Sequence, residues 1–225
     1  MFLSPKLSVL PHLRHGFLTK EHNIGTRILH EAPNLLRIKI LFQADHIIKS
    51  DQQHTSIVNV VDENTKGGLI GDALITQTSK LALCVQTGDC GPILIAHKTK
   101  PIIAAVHAGW RGAILEKVIE NTATQLKQHD DLSNYVAAVG PCLHQESFQT
   151  GPVIYNNVAN KKYFNAKRYF DFPLFLHDKL AILGFEDIDI IHENTYTNPK
   201  LFGFRKRHHD AANTKGRQGN VIMLV

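Results

Sequence analysis

The segment from Thr87 to Gly112, TGDCGPILIAHKTKPIIAAVHAGWRG, places a thiol and an imidazole at the outer ends of two apolar runs. The runs PILIA and IIAAV are joined by the polar stretch His97 to Lys100. Pro101 stands at the start of the second run, where a missing N–H is tolerated. This pattern predicts an antiparallel hairpin, and pairing Ala96 with Pro101 sets Cys90 directly opposite His107. Opposed residues in such a pair have Cβ atoms about 4.5 to 5.5 Å apart and point to one face of the sheet.

Three chemistries fit a sulfur and an imidazole at that separation. They can be two of the three ligands of a catalytic zinc, which binds sulfur at about 2.3 Å and nitrogen at about 2.0 to 2.1 Å and keeps a fourth place open. They can form a metal-free dyad in which the imidazole generates a nucleophilic thiolate. They can also be a buried cysteine beside a hydrogen-bonded core histidine. The surroundings favour a site. Gly88 and Gly91 flank Asp89 and Cys90, and Gly109 and Gly112 flank Trp110 and Arg111, letting backbone approach a ligand closely. Arg111 falls at the start of a helix expected from Ala113, where free N–H groups favour an anion, although a structural ion pair is the plain alternative. Asp72 in GDALIT and Asp89 are the carboxylates for acid and base work, and either could simply cap a turn.

The elements that must position these groups are mostly strands. RIKILFQ at 37 to 43 and KLALCVQ at 80 to 86 alternate apolar and polar residues and read as half-buried strands. Runs at 92 to 96, 102 to 106, 135 to 139, 187 to 191 and 220 to 224 are continuously apolar, as strands covered on both faces are. Helical spacing predicts an amphipathic helix over 113 to 128 and another from about Pro173 to Leu183, closed by Gly184, with a shorter one over 154 to 164. Only some strands are separated by helices, so the expected class is α+β, a single domain of layered mixed sheets with flanking helices.

Composition narrows the setting. The 225 residues, 43% hydrophobic and 20% charged, contain no repeat, low-complexity tract or linker, so one domain spanning 1 to 225 is expected. No apolar run reaches the roughly 18 to 20 residues that cross a bilayer. The N-terminus is broken by Pro5 and Pro11 and lacks a continuous signal-peptide core, which together with three cysteines points to the cytoplasm. The net charge of +5 is concentrated only at RKRHH, 205 to 209. That run reads as a solvated basic loop or a pocket for a small anion such as phosphate, and neither nucleic acid nor a membrane is expected as a partner.

With these residues in view, TGDCGPILIAH resembles the TADCxPVLLxD segment, and AAVHAGWRG the VHAGWRG segment, of the multicopper polyphenol oxidase-like family, also called the peptidoglycan editing factor family. GDALIT, VGPCLHQESFQTG and the stretch from TYTNPKLFGFRKRHH to GRQ resemble further segments, so the C-terminal two thirds is covered. Members of that family are understood as purine nucleoside phosphorylases with adenosine deaminase activity. The resemblance implies purine nucleosides and phosphate as partners, and a zinc, or alternatively copper, cofactor. It also implies a metal held by the His of a QVH segment, the Cys of the DC pair and the His of VHAGWRG.

Carried over, the last two ligands are Cys90 and His107. The stretch aligned with QVH reads LFQADHII, so the first ligand is either shifted to His46 or lost. Asp89 joins Cys90 and His107 as catalytic, while Arg111, Arg205 and Asp72 are expected to contact substrate. The region between HGFLTKE and Leu41 is shorter than the family pattern, and Gly203 and Phe204 replace a Ser and a Tyr of its FSYRR segment. A Cys–His hydrolase acting on an amide or cell-wall precursor, and a non-catalytic nucleotide-binding member of the family, are the competing readings.

Overall fold

The computed structural model describes residues 1–24, 32–209 and 215–225. The stretch where the family resemblance implies a shortening falls partly on 25–31, outside the described residues, as does 210–214 within the basic C-terminal segment. Among the described residues ten strands form two sheets. In chain order they are β1 (Leu13–Phe17), β2 (His46–Lys49), β3 (Val58–Val60), β4 (Ala73–Thr76), β5 (Leu81–Thr87), β6 (Gly91–His97), β7 (Ile103–Ala108), β8 (Tyr135–Val139), β9 (Asp187–Ile190) and β10 (Gln218–Leu224). One sheet has the order β1-β10-β5-β2 and the other β3-β4-β7-β6-β8-β9, each mixing parallel and antiparallel pairs.

Side-chain alternation stacks the layers. Leu81, Leu83 and Val85 of β5 face Leu94 and Ala96 of β6 and Ile103 and Ala105 of β7, making a core between the sheets. The opposite face of the four-stranded sheet, with Ala82, Cys84, Val221 and Met223, packs on Ile38 and Phe42. Those two residues belong to helix α2 (Ala32–Phe42), which follows a single helical turn, α1 (Pro5–Ser8). The opposite face of the six-stranded sheet, with Ile93, Ile95, Ala104 and Val106, packs on helices α3 (Val118–Lys127) and α5 (Phe172–Leu183). Short helices α4 (Pro152–Asn157) and α6 (Phe204–His209) complete the chain. The α+β class with layered mixed sheets is therefore the observed one.

Several local expectations change. Residues 37 to 42 are the second half of α2, and Gln43 follows it in a turn with a φ of 55°, so the stretch is not a strand. Ile38 and Phe42, four apart, share the buried side, while Ile40 is 68% exposed, so the buried positions follow helical rather than alternating spacing. Strand β5 is buried on both faces because α2 covers the side assigned to solvent. The helix over 113 to 128 starts late: Arg111–Leu115 form a π-helical turn, Lys117 takes a left-handed φ of 62°, and α3 begins at Val118. The stretch 154 to 164 is α4 followed by a separate 3-10 turn at Lys161–Tyr163. Among the described residues no helix is long and apolar enough to cross a membrane.

Candidate metal centre and cavity

The β6–β7 hairpin forms, with a register different from the expected one. Ala96 pairs with Ile103 and His107 with Pro92, because the connection extends to Ile102 and β7 begins beyond it. A shift of two residues keeps every side chain on its face, so Cys90 and His107 become diagonal neighbours instead of opposed ones and still meet. Cys90 stands just before β6, after a turn in which Asp89 adopts a φ of 95°. Three bonds hold that unfavourable conformation. Thr195 Oγ1 donates to Asp89 Oδ1 at 2.6 Å, the Arg205 backbone N–H donates to Oδ2 at 2.6 Å, and the Leu143 N–H donates to the Asp89 carbonyl at 3.0 Å.

A third ligand candidate arrives from the loop after β2. Donor atoms of His54, Cys90 and His107 all lie within 4.8 Å of one another, and Cys90 Sγ is 3.6 Å from His54 Nε2. His46 is not part of this group. It is exposed, at the start of β2 opposite Leu81. The signal for His54 was present as Gln52-Gln53-His54, which keeps the outer residues of a QxH pattern with Gln in place of Val. The glycine of HAGW has a steric reason here: a Cβ on Gly109 would collide with the His54 ring and lie 3.2 Å from Cys90 Sγ.

Asp72 organises the group from behind. It is fully buried and, unlike Cys90 and His107, is not among the residues that line the cavity. Its carboxylate bonds His107 Nδ1 at 2.7 Å and accepts the backbone N–H groups of Gln53, His54 and Thr55 at 3.2, 3.0 and 2.6 Å, along with the Thr55 hydroxyl at 2.8 Å. One carboxylate thus orients one imidazole and fixes the loop that carries the other, with His54 itself at a left-handed φ of 62°. Because Nδ1 of His107 is taken, its Nε2 faces Cys90.

The electrostatics follow from this wiring. Burial opposes ionisation of the Cys90 thiol, yet charge and hydrogen bonding from His107 and then His54 outweigh it and bring its pKa down to about 6. Burial opposes protonation of His107, but Cys90 and Asp72 overcome it and raise its pKa to about 9. Burial likewise disfavours the Asp72 carboxylate, and its bonds from His107 and Thr55 hold it down at about 2. Two imidazoles and a thiolate, the second imidazole backed by a carboxylate, fit a transition-metal ion with three protein ligands and a place open towards the cavity.

That cavity measures about 970 Å³. Its wall includes Trp110, Phe148, Phe172 and Phe204 as aromatic surfaces and Arg111, Arg205, Arg207 and Arg217 as cations. Asp89 is the single carboxylate among the described lining residues. Arg111 is exposed, stacked at 4.7 Å on Trp110, at the start of the π turn and not at the N-terminus of α3. Arg205 donates to the carbonyls of Ser147 at 3.0 Å and Gln149 at 2.9 Å, so it braces the wall while lending its charge. The run 205 to 209 is helical in α6 and not a solvated loop.

Comparison with known proteins gives a consistent picture. The family described as multi-copper polyphenol oxidoreductase laccase matches residues 27–225. A purine nucleoside phosphorylase of Rickettsia conorii is 32% identical over 203 residues, covering 86% of this chain and 83% of the relative. An adenosine deaminase from an unknown prokaryotic organism is 30% identical over 142 residues, 58% of this chain and 53% of that protein. Among solved structures, YfiH of Bacillus licheniformis superposes with a TM-score of 0.85 over 95% of this chain and 93% of that one, at 18% identity. That last likeness concerns the fold alone.

Proposed function

Because this chain belongs to the multi-copper polyphenol oxidoreductase laccase family, we propose that it is a metal-dependent purine nucleoside phosphorylase, with adenosine deamination as a second reaction of the same centre. The observation that carries the reading is the convergence of His54, Cys90 and His107 on a cavity walled by aromatic rings and arginines. The names of the two relatives supply the substrate class. Zinc is the metal we favour, with copper as the alternative; when bound, it would supply a Lewis acid and activated water.

The chain's own residues have distinct tasks in phosphorolysis. A phosphate oxygen bonds to the sugar carbon C1′ as the bond from C1′ to the purine breaks, and the leaving base takes up a proton. Trp110, Phe148, Phe172 and Phe204 offer flat apolar surface to the base. Arg111 attracts and orients phosphate, and the charge of Arg205 adds to the field. To Asp89, the one carboxylate among the described lining residues, we assign the proton that is held or released, and Asp72 keeps His107 in the tautomer that aims Nε2 into the site. Phenol oxidation by a multicopper cluster receives no support, since His54, Cys90 and His107 are the one converging trio of such ligands among the described residues.

One observation favours a second reading. Asp72, His107 and Cys90 line up as orienting acid, imidazole and thiolate, the arrangement of a cysteine hydrolase. The experiment is phosphate-dependent loss of inosine by protein stripped of metal and then reloaded with zinc. The phosphorylase reading expects ribose 1-phosphate and hypoxanthine to appear only with both phosphate and metal. Turnover by metal-free protein that stops on thiol alkylation would overturn it in favour of the hydrolase.

A further inference from the structure

Gln86, near the end of β5, lines the cavity and is fixed from two sides. Strand β2 pairs with β5 only as far as Lys49 opposite Cys84, which leaves the backbone of Gln86 without a strand partner on that edge. The Gln52 side chain takes the place of the missing strand. Its Oε1 accepts the Gln86 N–H at 2.7 Å and its Nε2 donates to the Gln86 carbonyl at 2.8 Å.

The side chain of Gln86 is fixed separately. Lys49, 8% exposed, donates from Nζ to Gln86 Oε1 at 3.1 Å. An ammonium has no lone pair, so the amide must turn its oxygen to Lys49 and its NH₂ away. That NH₂ has no acceptor among the described residues, and it is not one of the fully buried orphan atoms. It is therefore open to the space that Gln86 lines. Burying a lysine to hold a glutamine is costly where a leucine or methionine would pack without penalty, and a correctly aimed donor is what the pair delivers.

We propose that the Gln86 NH₂ is a specificity-determining donor that bonds one acceptor of the nucleoside, N3 or N7 of the base or the 2′- or 5′-hydroxyl of the sugar. Lys49 is its positioning residue, preventing the flipped amide that would present an acceptor instead. The inference rests on the reading of the cavity as a purine nucleoside site. A substrate analogue carrying no acceptor at that point loses the bond, and one carrying a donor there meets it unsatisfied when the amide is locked.

The test is steady-state kinetics of phosphate-dependent cleavage by zinc-loaded wild type, Gln86→Glu, Gln86→Leu and Lys49→Met. The substrates are inosine and its 3-deaza, 7-deaza, 2′-deoxy and 5′-deoxy analogues. Gln86→Glu keeps the shape and the Lys49 partner, so it stays informative should Gln86→Leu fold poorly. It is expected to raise the nucleoside KM about tenfold while kcat moves less than about threefold. One analogue should show the same rise with wild type and no further rise with the variant. Lys49→Met should raise KM by about threefold and narrow the spread among analogues.

Equal KM for wild type and Gln86→Glu, or a loss uniform across all analogues, overturns the inference alone. Wild-type protein that does not cleave inosine removes the substrate reading and this inference with it.

Discussion

The β6–β7 hairpin carries a buried histidine bonded to an aspartate at each of its ends, and the two pairs do different things. At the connection, His97 is 2% exposed, its Nε2 lies 3.1 Å from Asp130, and its Nδ1 accepts the N–H groups of Thr99 and Lys100 at 3.0 and 2.8 Å. At the opposite end, His107 is 4% exposed and bonds Asp72 through Nδ1, leaving Nε2 to meet Cys90 and His54 at a cavity. Burial and a carboxylate partner are common to both. What separates a turn clamp from a reactive centre is a second ring nitrogen left over after the fold has taken the first.

The largest effect that can break this contrast is removal of a ligand. His54→Ala and Cys90→Ala should each lower kcat/KM for inosine on the order of 10³-fold, about 4 kcal/mol of transition-state stabilisation, whereas His97→Ala should leave the zinc content intact. Metal analysis alongside inosine kinetics checks both ends of the hairpin. Next in size is Asp72→Asn, expected to weaken zinc binding about 10- to 100-fold. The same change should also cost about 3 kcal/mol of stability in denaturant titration, because the carboxamide keeps only one of the two acceptor oxygens that serve His107 and the loop bearing His54 and sets an NH₂ against the donors of the other. Asp130→Asn should spare zinc affinity; an equal loss there would erase the distinction.

Thiol reactivity sharpens the contrast further. In metal-free protein Cys90, drawn down to about 6, should reach its full alkylation rate near neutral pH. Cys84, pushed up to about 12 by burial, and Cys142, raised in the same way, should remain inert until the chain unfolds. Bound zinc should protect Cys90, which mass spectrometry of the alkylated peptides reads directly. The smallest effect is in acid. The Asp72 carboxyl is held down at about 2, below its ordinary value near 4. The unfolded chain therefore binds the proton first as pH falls, so this stabilisation is complete above about pH 4 and is lost towards pH 2. A melting series over that window should show the loss in wild type and not in Asp72→Asn.

Much of this was legible in the sequence wherever local pattern and burial agreed. YVAAV is the strand Tyr135–Val139, and Pro173 and Gly184 bracket α5. Cys90 and His107 meet even though the hairpin register was off by two, because sheet faces repeat every second residue. Strands β1, β2, β3 and β4 are not legible in the sequence, since short segments such as VNV carry no periodicity of their own and are made by their neighbours. The strand assigned to 37 to 43 failed because the exposed apolar Ile40 imitates alternation on what is a helix. Asp72 was visible as a carboxylate but not as a brace. Its role depends on three backbone N–H groups of a distant loop, a meeting that only the tertiary fold creates.

We propose above all that His54, Cys90 and His107 share one metal ion. Titrating zinc into metal-free wild type, His54→Ala and His46→Ala, with bound metal measured after dialysis, tests it most directly. Stoichiometric, tightly held zinc is expected in wild type and His46→Ala, and its loss in His54→Ala. Retention of zinc by His54→Ala, or its loss in His46→Ala, would contradict it.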